Sequence, residues 1–134
     1  MLKVGVIGAG HLGKIHLKLL KQSDKYELIG FFDAFEENGK KVEAEFGYKF
    51  FNSMEELIEA VDVVDIVTPT LSHYEVALKV IEKNKHFFIE KPVTHTLEEA
   101  DHLLELINAK GLKAQVGHVE RFNPAFITAS PFID

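Results

Sequence analysis

The segment VGVIGAGHLG, residues 4–13, decides the fold of this 134-residue chain. Its first part is a short apolar run with β-branched residues, which is typical of a strand buried on both faces of a sheet. Three glycines follow with the spacing G-x-G-x-x-G, and an amphipathic pattern begins within them. Leu12, Ile15 and Leu19 are predicted to share one face of that helix, with lysines turned away from it.

The same alternation of buried strand and amphipathic helix continues along the chain. Further strands are predicted over residues 26–32, 48–51, 63–67, 86–89 and 113–116, with helices between them. Gly47 is placed to end the helix predicted over residues 36–46. Three later helices are predicted to begin at a hydroxyl residue followed three positions on by glutamate. These pairs are Ser53 with Glu56, Ser72 with Glu75, and Thr96 with Glu99.

Buried strands that alternate with helices predict an α/β fold, a doubly wound parallel sheet with helices on both faces. With 46% hydrophobic and 27% charged residues, the composition is that of a globular domain, and the absence of cysteine excludes disulfides and thiolate metal sites. A net charge of −6 without a basic stripe argues against a nucleic-acid partner. No apolar stretch reaches the roughly 18 residues that a membrane span needs, so no membrane partner is expected.

Two further expectations concern location and metals. The first residues lack the apolar core and the small-residue cleavage site of a secretion signal, so we expect a cytoplasmic protein. The seven histidines are dispersed without the spacing of a helical metal-binding pair, so we expect no metal site.

The glycine loop predicts a dinucleotide site. Gly8 permits a tight turn, Gly10 lets the backbone approach a pyrophosphate, and Gly13 lets the helix pack close to the strand. The helix N-terminus offers unpaired N–H groups to the anion. The same glycines also occur in plain turns, but here they end a strand and open a helix, as in a Rossmann fold. His11 and Leu12 lie inside the loop, and His11 is expected to touch phosphate or solvent.

Asp33 ends the second predicted strand, 20 residues after Gly13. A carboxylate at this place can accept hydrogen bonds from both hydroxyls of an adenosine ribose, and it would repel a 2′-phosphate. No lysine or arginine follows closely enough to offset that repulsion, so NAD is expected rather than NADP. Asp33 could also cap the next helix, because Glu36 stands three positions on, and the two roles are compatible.

Further unusual residues follow other predicted strands, and the carboxyl ends of parallel strands meet at the edge where open α/β sheets bind ligands. They are Thr68-Pro69-Thr70, Glu90-Lys91-Pro92 and Gly117-His118. A lysine before proline is held out of the helical region, so Lys91 is expected to leave the sheet edge in an extended conformation. A cis Lys91–Pro92 bond is compatible with the sequence, which leaves the isomer open.

These segments resemble the Gfo/Idh/MocA family of nicotinamide-dependent sugar oxidoreductases. The resemblance covers essentially the whole chain. It depends on the glycine loop, on Thr68-Pro69-x-x-x-His73-x-x-x-Ala77, on HFFIEKP at residues 86–92 and on GHVERFNP at residues 117–124. The Glu-Lys-Pro signature is far more specific than the glycines. Asn84 departs from the family, which usually has glycine there, although asparagine tolerates the same left-handed conformation.

The resemblance implies roles for individual residues. Lys91 would reach the nicotinamide ribose and the substrate hydroxyl, and would assist proton movement as hydride leaves the carbon. The nicotinamide half of the cofactor would be lined by Thr68, Pro69, Thr70, His73 and Glu90. His118 and Arg121 could point toward the substrate, although Arg121 could equally pair with an acidic neighbour. Taken alone, a lysine at a strand end is usually a solvated flank.

The implied activity is hydride transfer between NAD and a hydroxyl carbon of a sugar or nucleotide sugar. GHVERFNP is most similar to members that oxidise UDP-N-acetylglucosamine at C3. Family members carry a second domain that binds the sugar, supplies a catalytic histidine and usually builds a homo-oligomer. Residues 1–120 are therefore expected to form the cofactor domain, and residues 121–134 to begin the connection to a domain absent from this chain, which alone would be inactive. A stand-alone NAD-sensing module, or a reductase of the dihydrodipicolinate or biliverdin reductase type, remains an alternative.

Overall fold

A computed structural model describes residues 1–133, so Asp134, the last residue of the expected connection, lies outside the described residues. The chain forms one five-stranded parallel sheet with the order β2-β1-β3-β4-β5. The strands are β1 (Leu2–Ile7), β2 (Tyr26–Phe32), β3 (Val63–Ile66), β4 (His86–Ile89) and β5 (Ala114–Val116). The helices are α1 (His11–Gln22), α2 (Glu36–Phe46), α3 (Met54–Ala60), α4 (Thr70–Glu82), α5 (Leu97–Lys110) and α6 (Pro124–Ala129). Short 3₁₀ turns flank α6 at Val119–Phe122 and Ser130–Phe132.

Each face of the sheet has its own apolar core, which confirms the predicted doubly wound α/β fold. On one face, α1 and α2 pack through Leu17 and Val42 against Val6 and Phe31 of the sheet. On the other face, α3, α4 and α5 cover a larger core. Its strand residues are Ile7, Val64, Ile66, Phe87 and Ile89. The apolar runs of β1 and β3 are therefore buried on both sides, as continuous β-branched strands are in parallel sheets.

The predicted strand over residues 48–51 is wrong. Only Phe50 forms a bridge, with Phe31 of β2. The Phe31 N–H donates to the Lys49 carbonyl, and the Phe31 carbonyl accepts from the Phe51 N–H. The chain then turns into α3. The apolar side chains of this segment are used in packing instead, since the Phe50 ring lies 5.5 Å from the Phe31 ring.

The face of α1 that packs on the sheet is not the apolar face predicted from the sequence. Leu12, Ile15 and Leu19 are all more than two-fifths exposed, whereas Gly13 and Leu17 are buried. The reason is steric: Gly13 must lie against the backbone at the end of β1, and Leu17, four residues on, points the same way. The apolar residues named from the sequence consequently lie beside the packed face.

The predicted helix starts differ in outcome. Thr96 forms the complete reciprocal capping box with Glu99, and Ser53 accepts the Glu56 N–H. The start at Ser72 is wrong, because α4 begins at Thr70 after Pro69, and the Ser72 hydroxyl donates to the Pro69 carbonyl at 2.8 Å. Proline fixes its own φ, here −56°, and this favours a helix start directly behind it.

Two helix ends agree with the sequence. Gly47 ends α2 in the left-handed region, with φ of 74°. Asn84, just behind α4, is also left-handed, with φ of 55°. Within residues 1–133 no helix is both long and apolar enough to cross a membrane.

The contrast between Thr96 and Ser72 predicts different stability effects. Thr96→Ala removes a cap that satisfies the Glu99 N–H, and it should lower the free energy of unfolding by about 1 kcal/mol. Ser72→Ala removes an exposed hydroxyl with no capping role, and it should change stability by less than about 0.5 kcal/mol. Urea denaturation followed by circular dichroism measures both. Equal effects would contradict the assigned helix starts.

Candidate functional site

The strand order reverses between β1 and β3, and a cleft of about 560 Å³ opens at their carboxyl ends. Such a reversal is where doubly wound sheets bind ligands. The cleft brings together eight of the residues singled out in the sequence: Gly8, Gly10, His11, Leu12, Gly13, Asp33, Thr68 and Pro69. Sequence reasoning missed several other lining residues, among them Ala34, Phe35, Asn38, Met54 and Ser72.

The three glycines of the loop meet different steric conditions. Gly8 has φ of +102°, and a Cβ there would lie 2.6 Å from the Val67 carbonyl oxygen. A Cβ on Gly13 would overlap the Gly8 carbonyl. A Cβ on Gly10, in contrast, would meet no atom of residues 1–133 within 4 Å. Gly8 and Gly13 are therefore required by the fold, whereas Gly10 leaves open space at the start of α1.

Asp33 holds the loop from the side of β2. Its buried carboxylate accepts hydrogen bonds from the Ala9 N–H at 2.9 Å and the Asn38 amide at 3.1 Å through Oδ2. Its Oδ1 accepts from the Phe35 N–H at 2.8 Å. The expected capping role is wrong, because Phe35 is the N-cap residue of α2 and Asp33 lies two residues before it. A carboxylate has about four acceptor positions, so capacity remains on the cleft side.

The surface beside Asp33 carries both signs of charge. A second small pocket shares Ala34, Phe35 and Asn38 with the cleft and is lined further by Glu36, Glu37 and Lys41. The expectation that no basic residue stands near is therefore incomplete, because α2 brings Lys41 to the pocket. Together with Asp33, the two glutamates still make the local charge negative.

His73 links the two loops on the other side of the cleft. It is almost fully buried, with Nδ1 2.8 Å from the Pro92 carbonyl and Nε2 2.8 Å from the Thr68 carbonyl. The Lys91–Pro92 bond between β4 and α5 is cis. His73 thus connects the turn after β3 to the turn after β4. It does not line the cleft, and neither do Thr70, Glu90 and Lys91.

A cluster that the sequence did not reveal lies under α1. His16 Nδ1 is 2.8 Å from Asp65 Oδ2, and His16 Nε2 is 3.2 Å from Glu90 Oε1. The hydrogen bond with Asp65 raises the pKa of His16 above its ordinary value, while burial raises the pKa of the Asp65 carboxyl. Asp65 Oδ1 is buried without a hydrogen-bond partner among the described residues. A carboxylate in the middle of the apolar run of β3 was the available sequence signal.

The remaining predicted residues lie near the carboxyl ends of β4 and β5. Lys91 is exposed, and its backbone N–H donates to Glu90 Oε2 at 3.2 Å. His118 and Arg121 line a separate pocket with Ala114, Gln115, Val116 and Phe122. Within residues 1–133 neither Lys91 nor Arg121 forms an ion pair.

Comparison with known proteins places this geometry in a family. Residues 2–118 match the family model GFO_IDH_MocA, described as an oxidoreductase family with an NAD-binding Rossmann fold. The chain belongs to this family. The match includes the glycine loop, Asp33 and the Glu-Lys-Pro segment, and it confirms the resemblance stated from the sequence.

Individual relatives agree with this assignment. UDP-N-acetylglucosamine 3-dehydrogenase of Acidithiobacillus ferrooxidans is 40% identical over 92% of this chain and 39% of its own length. Glucose-6-phosphate 3-dehydrogenase of Bacillus subtilis is 33% identical over 91% of the chain and 35% of its own length. A solved structure of the Acidithiobacillus enzyme gives a TM-score of 0.88 at 37% identity, covering 98% of this chain and 43% of that one. The chain therefore spans about two-fifths of the length of these relatives.

The buried tie at His73 predicts a large stability effect. His73→Ala removes a buried imidazole that lies 2.8 Å from both carbonyls and opens a cavity, and should lower the free energy of unfolding by about 3 kcal/mol. His102→Ala is the matched control, since His102 contacts the Tyr74 hydroxyl at the surface and should cost less than about 1 kcal/mol. Urea denaturation measures both, and a small effect at His73 would show that the tie contributes little.

Proposed function

We propose that this chain is the NAD-binding domain of an oxidoreductase that moves a hydride between nicotinamide and a hydroxyl carbon of a sugar or nucleotide sugar. The observation that carries the proposal is that the glycine loop and the buried Asp33 line one cleft, and that the Glu-Lys-Pro turn follows β4 at the same carboxyl edge of the sheet. Its relatives include enzymes named for oxidation at a 3-position, one acting on UDP-N-acetylglucosamine and one on glucose 6-phosphate. Among substrates, UDP-N-acetylglucosamine is our first choice, with oxidation at C3.

The cleft residues fit a dinucleotide. Gly10 leaves space where a side chain would otherwise stand, at the N-terminus of a 12-residue helix whose first N–H groups can bind an anion. His11, Leu12 and Gly13 follow in the first turn of that helix. Across the cleft, the buried Thr68 hydroxyl has no hydrogen-bond partner among the described residues. Gly8, Pro69 and the backbone around them would complete the cradle.

Asp33 supports NAD rather than NADP. Its carboxylate is fixed by three protein hydrogen bonds and retains acceptor capacity for ribose hydroxyls. Because Glu36 and Glu37 stand beside it, a 2′-phosphate would meet a negative surface that Lys41 offsets only in part.

Lys91 is proposed as the catalytic residue. When bound, the nicotinamide supplies the hydride acceptor or donor. Lys91 would hold the substrate hydroxyl and take part in moving its proton, and Thr70, His73 and Glu90 would shape the nicotinamide side of the site. The exposed lysine has no ion pair within residues 1–133, so its ammonium is available for these contacts. His118 and Arg121, farther along the same edge, are proposed to face the substrate.

Residues 121–134 are proposed to connect the cofactor domain, residues 1–120, to a substrate domain, with the whole protein a homo-oligomer. The relatives are longer than this chain, which makes a further domain reasonable. Phe122, Phe126, Ile127 and Phe132 are largely exposed, and contact with a further domain would bury them.

The cofactor proposal predicts a preference for NADH over NADPH. Titration of the chain, followed by nicotinamide fluorescence, should give tighter binding of NADH by about tenfold or more. Asp33→Asn removes the charge and should bring the two affinities to within about threefold of each other.

Gly10→Val should fold normally but bind neither cofactor, because its side chain fills the open space at the helix N-terminus. Circular dichroism checks folding of both variants, and equal or tighter NADPH binding by the unaltered chain would overturn the preference.

The catalytic proposal predicts a specific defect at Lys91 in the whole protein. Lys91→Met should lower kcat by about 100-fold or more, the usual contribution of a positioned acid or base, while NADH affinity falls by no more than about tenfold, the effect of one lost hydrogen bond. Turnover is followed by the absorbance of reduced nicotinamide with UDP-N-acetylglucosamine, glucose 6-phosphate and free polyols. Arg121→Gln is the comparison variant and should raise KM more than it lowers kcat. Unchanged turnover in Lys91→Met would exclude the catalytic role, and failure of every sugar would overturn the substrate class.

A further inference from the structure

His16 connects three elements of the fold through one imidazole. It extends from α1, the helix behind the glycine loop, to Asp65 in β3 and to Glu90 directly after β4. A neutral imidazole carries a single N–H, so donation from both ring nitrogens to carboxylates requires the imidazolium form. Nδ1 forms a hydrogen bond with Asp65 at 2.8 Å, and Nε2 lies within ion-pair distance of Glu90 Oε1 at 3.2 Å.

The Glu90 carboxylate has neighbours on three sides. Oε1 faces His16, and Oε2 accepts the backbone N–H of Lys91. On the third side lies Gly117, where a Cβ would stand 3.0 Å from both carboxylate oxygens and 2.8 Å from the Phe88 ring. Glycine at this position therefore leaves the space that the Glu90 carboxylate occupies beside α1.

We propose that His16 is a positioning residue for Lys91. Through its ion pair with Glu90, the imidazolium keeps that carboxylate beside α1, where it accepts the Lys91 N–H instead of pairing with the Lys91 ammonium. The lysine side chain stays free for the ligand edge. The proposal rests on the proposed function for the role of Lys91, whereas the coupling among the three side chains can be measured without any cofactor.

Loss of a proton would reverse this arrangement. With only Nδ1 protonated, the lone pair on Nε2 would face Glu90 Oε1 and repel it, which releases the carboxylate toward the neighbouring ammonium. The titratable groups that face His16 are Asp65 from β3, Glu90 after β4 and, across an apolar cavity, Tyr26 from β2. The switch is therefore expected at the pKa of His16, which the hydrogen bond with Asp65 raises above 6.5.

The raised pKa of His16 also determines how the stability of the folded chain changes with pH. A histidine whose pKa is raised in the folded state contributes its full stabilisation below the unfolded value of 6.5, and this is lost as pH rises through the raised value. The chain should therefore lose this contribution to stability as pH rises from 6.5 through the raised pKa of His16.

The test is nuclear magnetic resonance on the ¹⁵N-labelled chain between pH 5.5 and 8.5. The His16 ring nitrogens and the Lys91 backbone amide should titrate with one shared midpoint above 6.5. In His16→Gln the Lys91 amide shift should stop responding to pH over this range. His102→Gln is the matched control, because His102 bonds to Tyr74 between α4 and α5, and it should leave the Lys91 titration unchanged. Independent midpoints, or a Lys91 titration that survives in His16→Gln, would overturn the coupling.

A second variant keeps the test decisive if His16→Gln fails to fold. Glu90→Gln preserves the size of the side chain and an acceptor oxygen but removes the charge, so the His16 midpoint should fall and the Lys91 amide should lose its titration. An unchanged His16 midpoint in Glu90→Gln would contradict the contact on which the proposal depends.

The pH dependence of NADH affinity tests the positioning role of His16 separately from the proposed function. The affinity of the unaltered chain for NADH should fall roughly threefold as pH rises through the shared midpoint, the effect of one weakened hydrogen bond, and should be independent of pH in His16→Gln. A chain that binds no NADH at any pH would overturn the proposed function while leaving the coupling intact. Coupled titrations together with a pH-independent NADH affinity would overturn the positioning role alone.

Discussion

The close approach of α1 to the end of β1 is the constraint on which the rest of the structure depends. The backbones of Gly8, Gly13 and Val67 meet so tightly that no Cβ fits on either glycine. This contact fixes the rotation of α1 about its own axis, so that Gly13 and Leu17 face the sheet. The same rotation carries His16, which lies between them in the helix, over the sheet toward β3. One steric requirement thus sets both the open N-terminus of the helix and the position of the half-buried imidazole.

The glycine loop is held by β2 as well as by its own helix. The Gly8 N–H donates to the Phe32 carbonyl, and the Ala9 N–H donates to the Asp33 carboxylate. Asn38 from α2 bonds to that carboxylate and to the Ala9 carbonyl. Backbone groups are therefore oriented by the protein alone, which lowers the entropic cost of ordering the loop around a ligand. Asp33 is a structural residue of the loop in addition to its proposed contact with ribose.

The sequence predicted the fold where the signal is local. Short continuous apolar runs identify β1 to β5, and amphipathic patterns with a period of 3.6 identify the helices between them, because each pattern is contained in one element. Residues 48–51 have the apolar character of a strand, but pairing depends on a partner, and β2 offers this segment one bridge. Ser72 shows the same limit, since two residues with the spacing of a cap do not outweigh Pro69, which fixes the start of α4.

The candidate site was predictable to the extent that its residues form motifs. The glycine loop and Asp33 come together as expected because their spacing is set by one βαβ unit. His16 and Asp65 were missed, since they lie 49 residues apart and no spacing rule joins them. The polar residue within the apolar run of β3 was nevertheless a clue, because a buried carboxylate needs a partner somewhere in the fold.

The free-energy cost of this cluster, in which Asp65 is buried and His16 and Glu90 are half-buried, is itself informative. Removing charged groups from water is unfavourable, and a buried ion pair is often no more stabilising than the apolar residues that could replace it. Asp65 even leaves one oxygen without a partner among the described residues. Stability alone therefore does not explain well why these three residues are present. Their position offers a more specific explanation. The cluster joins the helix of the glycine loop to the turn that carries Lys91, and so connects the two halves of the sheet edge that the fold brings together.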